Sequence, residues 1–179
     1  MRDIDSSKVN THDAMELRVK SLAGKASTMA FAEHLARLTF DDRAHTSLSA
    51  SIGRLAGLNL RRGLLVVISD FFDPAGLDLV RDALRAIRHR LLFVQLVRPS
   101  DASPDLDGDL RLRDCESGEL AEITITPHVL KRYREAYDRF SESLTELVSY
   151  YHGGLLRLDV EADLVQQLNT LFASGRVSG

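Results

Sequence analysis

The stretch Arg61-Arg62-Gly63-Leu64-Leu65-Val66-Val67-Ile68-Ser69-Asp70-Phe71-Phe72-Asp73-Pro74 constrains the fold of this chain more than any other. Its uninterrupted apolar run, Leu64 to Ile68, is too short for a helix of ordinary length. A brief, branched run of this kind is what a strand needs when helices cover both of its faces. The pattern therefore predicts a buried strand at the centre of a sheet. Ser69 and Asp70 follow directly, then a turn signal at Asp73-Pro74 and a helical pattern. Open parallel sheets bind ligands at the carboxyl ends of their strands, which puts Asp70 on the rim where chemistry or recognition is expected.

Composition matters mainly for what it excludes. With 179 residues the chain can bury one layered core. A net charge of -3 gives no electrostatic reason to expect nucleic acid. No apolar run approaches the ~20 residues of a membrane helix, and Met1 to Asp5 contain no signal-peptide core. The single cysteine, Cys115, cannot form an internal disulfide, which fits a reducing cytosol and a cytoplasmic protein. The six histidines show no zinc-ligand spacing with it.

Residues 1–12 are polar and unpatterned, a loose lead-in. Met15, Leu17 and Val19 alternate with Glu16, Arg18 and Lys20, which predicts a half-buried strand. Phe31, Leu35 and Leu38 predict a helix from about Ser27 to Leu38. Leu48, Ile52, Leu55 and Leu58 predict a second, capped by Thr46 or Ser47. After the apolar strand, Leu77, Val80, Leu84 and Ile87 mark a third helix. Leu91 to Val97 is a second buried strand, parallel to the first if the crossover is right-handed. Residues 99–108 read as loop. Leu110 to Asp114 and Leu120 to Thr126 flank a turn with Gly118 and predict a β-hairpin. Thr126 and Pro127 open a long helix to about His152, with Leu130, Tyr133, Tyr137, Phe140, Leu144, Leu147, Val148 and Tyr151 as one stripe. That stripe is read as core against a sheet rather than as a coiled-coil seam. Gly153-Gly154 ends the helix, Leu155 to Asp159 is a last strand, and residues 161–173 a last helix. Alternating strands and helices imply an α/β, three-layer, Rossmann-like domain with a mostly parallel sheet and an inserted hairpin.

Few residues carry a chemical signal. Asp70 is either a rim carboxylate able to meet a hard cation or an acid that braces the following loop. Asp73, before Pro74, reads as a turn or cap residue. The Thr46 hydroxyl either ligates a metal or caps its helix. There is no G-x-S-x-G elbow beside Ser69 and no phosphate-cradling glycine loop.

The run R-R-G-L-L-V-V-I-S-D-F-F-D-P, the G-D-L-R-L-R-D-x-E-S-G-E-L hairpin and the L-x-R-Y-R-E-A-Y-D-R-F helix resemble the bacterial von Willebrand factor A-like family known as "domain of unknown function fifty-eight". The resemblance runs from about Asp13 to Phe172. It implies a von Willebrand A-like domain over residues 13–174 that lacks the family's first strand and helix. Such domains often hold Mg²⁺ in a metal-ion-dependent adhesion site built on D-x-S-x-S, a Thr and an Asp. Thr46 and Asp70 match the second and third elements; D-x-S-x-S does not occur, and Asp3-Ile4-Asp5-Ser6-Ser7 is the nearest string. The expectation is an incomplete metal site, with no tightly bound cofactor and at most weak Mg²⁺. The resemblance also implies a non-enzymatic interaction module that partners a MoxR-type AAA+ ATPase in complex assembly. The alternative is a metal-assisted phosphoesterase using Asp70 and Asp73. Without a first strand beside it, the strand ending at Asp70 has an uncovered edge unless the strand at residues 14–20 or a partner covers it, and the expectation otherwise is self-association.

Overall fold

The computed structural model describes residues 29–30, 32–33, 36–37, 47–58, 60–73, 75–113 and 118–173. The strand expected at residues 14–20 and the cap expected at Thr46 lie outside them. Within the first expected helix, Met29, Ala30, Ala32, Glu33 and Ala36 are helical.

Helix α1 (Leu48–Gly57) starts where its sequence says it should. Ser47 is extended, and its hydroxyl accepts from the Ala50 amide at 3.2 Å, satisfying one of the donors a helix start leaves open. Strand β1 (Leu64–Ser69) follows, then α2 (Leu77–Leu84) and β2 (Arg90–Val97). The α2 helix begins three residues after Pro74, not at it: Gly76 adopts φ 82° and holds the chain out of helix until Leu77. Pro99–Ala102, expected as loop, forms one helical turn, α3. Strands β3 (Gly108–Arg113) and β4 (Leu120–Ile125) make the expected antiparallel hairpin, with Arg111 opposite Glu122 and Asp109 opposite Thr124. Both pairs bond across the strands, Arg111 Nη2 to Glu122 Oε1 at 2.6 Å and Thr124 Oγ1 to Asp109 Oδ1 at 2.6 Å. The long helix α4 (Pro127–Tyr150) opens on Thr126, whose hydroxyl accepts from the Val129 amide, with Pro127 in its first turn. Strand β5 (Gly154–Asp159) and helix α5 (Leu164–Ala173) complete the chain's described part.

The main sheet has the order β1-β2-β5, all parallel, with Leu64 facing Arg90 and Leu92 facing Gly154 at the start of each register. The central strand is therefore β2. Placing the Leu64–Ile68 strand at the centre was wrong for the described sheet, and so was covering both of its faces. Odd positions of β1 and β2 (Leu65, Val67, Leu91, Phe93) pack under α1, α2 and α4 with Ile52, Val80, Leu84, Leu144 and Leu147. On the opposite face, among the described residues, α5 covers β2 and β5, through Leu168 and Leu171 on Val94, Leu156 and Leu158. The β1 side chains on that face are left open: Leu64 is 60% exposed, Val66 44% and Ile68 64%. A run of apolar residues satisfies a strand buried on both faces, but periodicity says nothing about which helix reaches which strand.

Only half of the α4 stripe is core. Leu144, Leu147 and Val148 are buried, with Phe140 and Tyr151 packed beside them, whereas Tyr133 is 42% exposed. Below the buried part, Gly153 lets α4 turn closely into β5: a Cβ there would stand 3.2 Å from the Leu91 carbonyl oxygen and 3.3 Å from Val148 Cγ1. The one buried polar side chain among the described residues is Gln95 on β2. Its Oε1 accepts from Arg157 Nε at 2.9 Å, and the same guanidinium donates to the Ser141 carbonyl and to Thr145 Oγ1, tying sheet to α4.

Candidate functional site

The carboxyl rim of the sheet is set by a strained turn after β1. Phe71, a bulky residue, sits at φ 66° in the left-handed region, where a Cβ crowds the backbone. Two side chains brace it. Ser69 Oγ accepts from the Phe71 amide at 3.0 Å, and Asp70 Oδ1 accepts from the Phe72 amide at 3.0 Å. The turn sends consecutive aromatics in opposite directions. Phe71 goes into the core, 1% exposed and 5.4 Å from the Phe93 ring centroid. Phe72 goes to the rim, 49% exposed, stacked on Phe140 at 4.6 Å and beside Tyr137 at 6.4 Å. Asp70, just before them in the chain, is exposed. It is both the rim carboxylate and the loop brace that its position allowed.

Asp73 is a bracing acid. Its Oδ1 accepts from the Ala75 amide at 2.8 Å and its Oδ2 from the Ser49 amide in the first turn of α1 at 3.1 Å. A carboxylate at a helix start is favoured by the partial positive charge there. Through Asp73 the start of α1 and the end of β1 meet at one rim. Thr46, just before that helix in the sequence, lies outside the described residues.

On the other side of Phe72 the end of β2 joins the rim. The Arg98 amide donates to Asp101 Oδ2 at 3.2 Å, and the Tyr133 hydroxyl donates to the Asp101 carbonyl at 2.7 Å. Burial, then the Asp101 charge and Tyr137, push the Tyr133 phenol above its usual range. Tyr137 is raised by burial and by Asp101, with Arg157 pulling the other way and Asp138 adding to the rise. The rim thus carries Asp70, Phe72, Tyr137, Tyr133 and Asp101 in succession, acidic at both ends and aromatic between. Sequence reasoning singled out Asp70 by its position after a strand and read residues 99–108 as loop. It assigned Tyr133 and Tyr137 to the core stripe and missed Phe72. The available signal was a change of residue type along α4: tyrosines in the first half of the stripe, leucine and valine in the second.

What this arrangement offers a metal is limited. Mg²⁺ takes six oxygens in near-octahedral geometry. Among the described residues no group of three or more His, Cys, Asp or Glu side chains is placed to hold an ion, and both Asp73 oxygens already serve backbone amides. The described donor set does not fit a Mg²⁺ site. What it does present is an exposed carboxylate on Asp70 and partly exposed rings on Phe72, Tyr133 and Tyr137. Among the described residues no helix is long and apolar enough to cross a membrane.

Comparison with known proteins gives a family and no activity. The family described as "Protein of unknown function DUF58" matches residues 7–143. An uncharacterised protein of Mycobacterium tuberculosis is 32% identical over 132 residues, which are 72% of this chain and 40% of the relative. An uncharacterised protein of Mycobacterium avium is 28% identical over 130 residues, 72% of this chain and 76% of its own length. The chain therefore spans less than half of the M. tuberculosis relative. A solved structure, the conserved hypothetical protein BatB of Bacteroides thetaiotaomicron, aligns over 84% of this chain and 70% of its own with a TM-score of 0.40 and 12% identity. With more than half of its residues matched, the chain belongs to the DUF58 family.

Proposed function

We propose that this chain is a non-enzymatic protein-interaction module with a von Willebrand A-like fold, acting in the cytoplasm and docking a partner on the carboxyl rim of its sheet. The partner class is the one the family resemblance implies, a MoxR-type AAA+ ATPase engaged in complex assembly. The observation that carries the reading is the turn at Ser69–Phe72. A left-handed Phe71 costs stability, and the turn it makes presents Asp70 and Phe72 together at the surface. Strain of this kind tends to mark functional positions. Exposed rings flanked by carboxylates favour a partner surface with an aliphatic or aromatic anchor and a basic residue beside it. No step is routed through a metal. The engagement of Asp73 by two backbone amides leaves the phosphoesterase reading without its second free carboxylate.

The test is a direct binding titration between this chain and a purified MoxR-type ATPase, with and without nucleotide. Binding that falls at least tenfold in both Asp70→Asn and Phe72→Ala, with unchanged far-UV circular dichroism, supports the rim as the docking surface. Wild-type affinity in both variants, or no binding by the wild-type chain, refutes it.

A further inference from the structure

The two ends of the parallel sheet carry opposite charge, and we infer that the amino end of one copy of this chain docks on the carboxyl rim of a second copy, head to tail. Because β1, β2 and β5 all run the same way, their starts gather at one end and their finishes at the other. Arg61 and Arg62 lead into β1, while Arg88 and Arg90 stand at the start of β2; all four are exposed. Two hydrogen bonds hold these pairs together although they are distant in the chain. The Arg90 amide donates to the Gly63 carbonyl at 2.9 Å, and the Gly63 amide donates to His89 Nδ1 at 3.1 Å. Helix dipoles account for other cations at this end. Arg54 in the last turn of α1 and Arg85 just after α2 meet the partial negative charge of helix carbonyl ends, and Arg85 is paired with Asp82 at 3.2 Å. Strands have only small net dipoles. That account therefore does not extend to the four strand-start arginines, whose like charges repel one another.

The opposite end has the complementary sign on all three strands. Asp70 follows β1, Asp101 stands just beyond β2, and β5 ends on Asp159 with Glu161 just after it. Asp70 and Glu161 are exposed. Two cations lie at the same end: Arg157, held by Gln95, Ser141 and Thr145, and the exposed Arg98, whose amide is bonded to Asp101. Strands of six to eight residues separate the ends by about 20 Å. That is roughly two Debye lengths at 0.1 M salt, so an approaching surface feels the near end and little of the far one. The occupant follows from this polarity. Guanidinium forks meet carboxylates through paired hydrogen bonds. Cations at the starts of neighbouring strands and carboxylates at the ends of neighbouring strands share one spacing, about 4.8 Å between strands. The two rows therefore match when one sheet is stacked end-on upon another. The contact is heterologous, so each added copy offers a fresh end, and the assembly grows or closes into a ring. Asp70 also serves the rim docking proposed above, but that reading makes no use of the arginine end, and the inference goes beyond it.

Sedimentation velocity over micromolar to millimolar protein tests the contact at about 0.01 M and about 1 M salt, between which the Debye length falls from roughly 30 Å to roughly 3 Å. The wild-type chain is expected to pass beyond the dimer at low salt and to be monomeric at high salt. Arg62→Gln/Arg88→Gln and Asp70→Asn/Glu161→Gln each neutralise one end, and each is expected to weaken self-association at least tenfold. An equimolar mixture of these two variants keeps one intact contact, the arginine end of the second on the acidic end of the first. It is expected to form a heterodimer that stops at two. Growth past two copies in the wild type, with a mixture that stops at two, is the signature of a head-to-tail contact. A wild-type chain that stays monomeric at millimolar concentration and low salt overturns the proposal. So does association that is unchanged at high salt, or a wild-type assembly that stops at two. A monomeric chain that binds a hexaglutamate peptide or phosphatidylglycerol vesicles through Arg62 and Arg88 assigns the arginine end to another partner and overturns it as well. Arg62→Gln/Arg88→Gln leaves the rim intact and is expected to bind the ATPase as the wild type does in dilute solution. Failure of the wild-type chain to bind the ATPase refutes rim docking alone, so the two proposals fail separately.

Discussion

The left-handed residue at position 71 makes a prediction that runs against the usual ranking of small residues. Phe71 has φ 66° and is 1% exposed against Phe93. Truncation to alanine removes a buried ring and leaves a cavity, which costs about 3–5 kcal/mol. It leaves the backbone cost untouched, because alanine keeps the Cβ that crowds the chain in this region. Truncation to glycine removes the same ring and also the crowding, worth roughly 1–2 kcal/mol. Against that stands the extra freedom of glycine in the unfolded chain, roughly 0.5–1 kcal/mol. The net expectation is that Phe71→Gly is more stable than Phe71→Ala by about 0.5–1 kcal/mol, with both well below wild type. At an ordinary buried strand position the order is reversed.

Urea denaturation followed by circular dichroism measures both differences, with the slope m checked for constancy so that the midpoints report stability. Phe71→Gly also offers a second readout. If the strain serves to present the rim, relaxing it lets Asp70 and Phe72 depart from their wild-type placement, and affinity for the partner falls further in Phe71→Gly than in Phe71→Ala despite the higher stability. A glycine variant less stable than the alanine variant by ~1 kcal/mol, the ordinary glycine penalty, refutes the claim that the backbone at Phe71 is strained.

Two other consequences can be measured on the same protein. Gly153→Ala drives a Cβ to 3.2 Å from the backbone oxygen of Leu91, which cannot swing away as a side chain could, and should cost about 1–3 kcal/mol in urea denaturation; a loss below the measurement error would mean that the α4–β5 junction gives freely. The raised phenols of Tyr133, Tyr137 and Tyr151 make stability depend on alkaline pH. Because their folded values lie above the unfolded value near 10, the folded state holds these protons more tightly, so stability is complete below that pH and is lost as pH rises through the folded values. For Tyr151 the leading cause is burial, with Tyr150 adding to it and Arg85 and Arg81 opposing, and its hydroxyl donates to the Arg81 carbonyl at 2.6 Å. Tyr151→Phe should flatten the alkaline loss seen by thermal melts above pH 10, and an unchanged profile would remove Tyr151 from the explanation.

The parts of the fold that were legible in the sequence are those written locally. Ser47 before Leu48, Thr126 before Pro127 and the Gly153-Gly154 stop mark helix ends by chemistry within a few residues, and the structure places the ends within three residues of them. The hairpin was legible for the same reason: its alternation and its turn lie side by side. What the sequence left undecided depends on partners distant in the chain. Leu64–Ile68 reads the same whether a helix covers one face or two, so its place in the sheet could not be read from it. The α4 stripe is continuous in sequence but core only where α1, α2 and the sheet reach it. No residue type announces the left-handed turn, because phenylalanine has no preference for it; the braces at Ser69 and Asp70 are common loop residues. Asp70 was singled out through its position after a strand, whereas Phe72, exposed beside it, follows the same strand and carries no polar signal to set it apart from core.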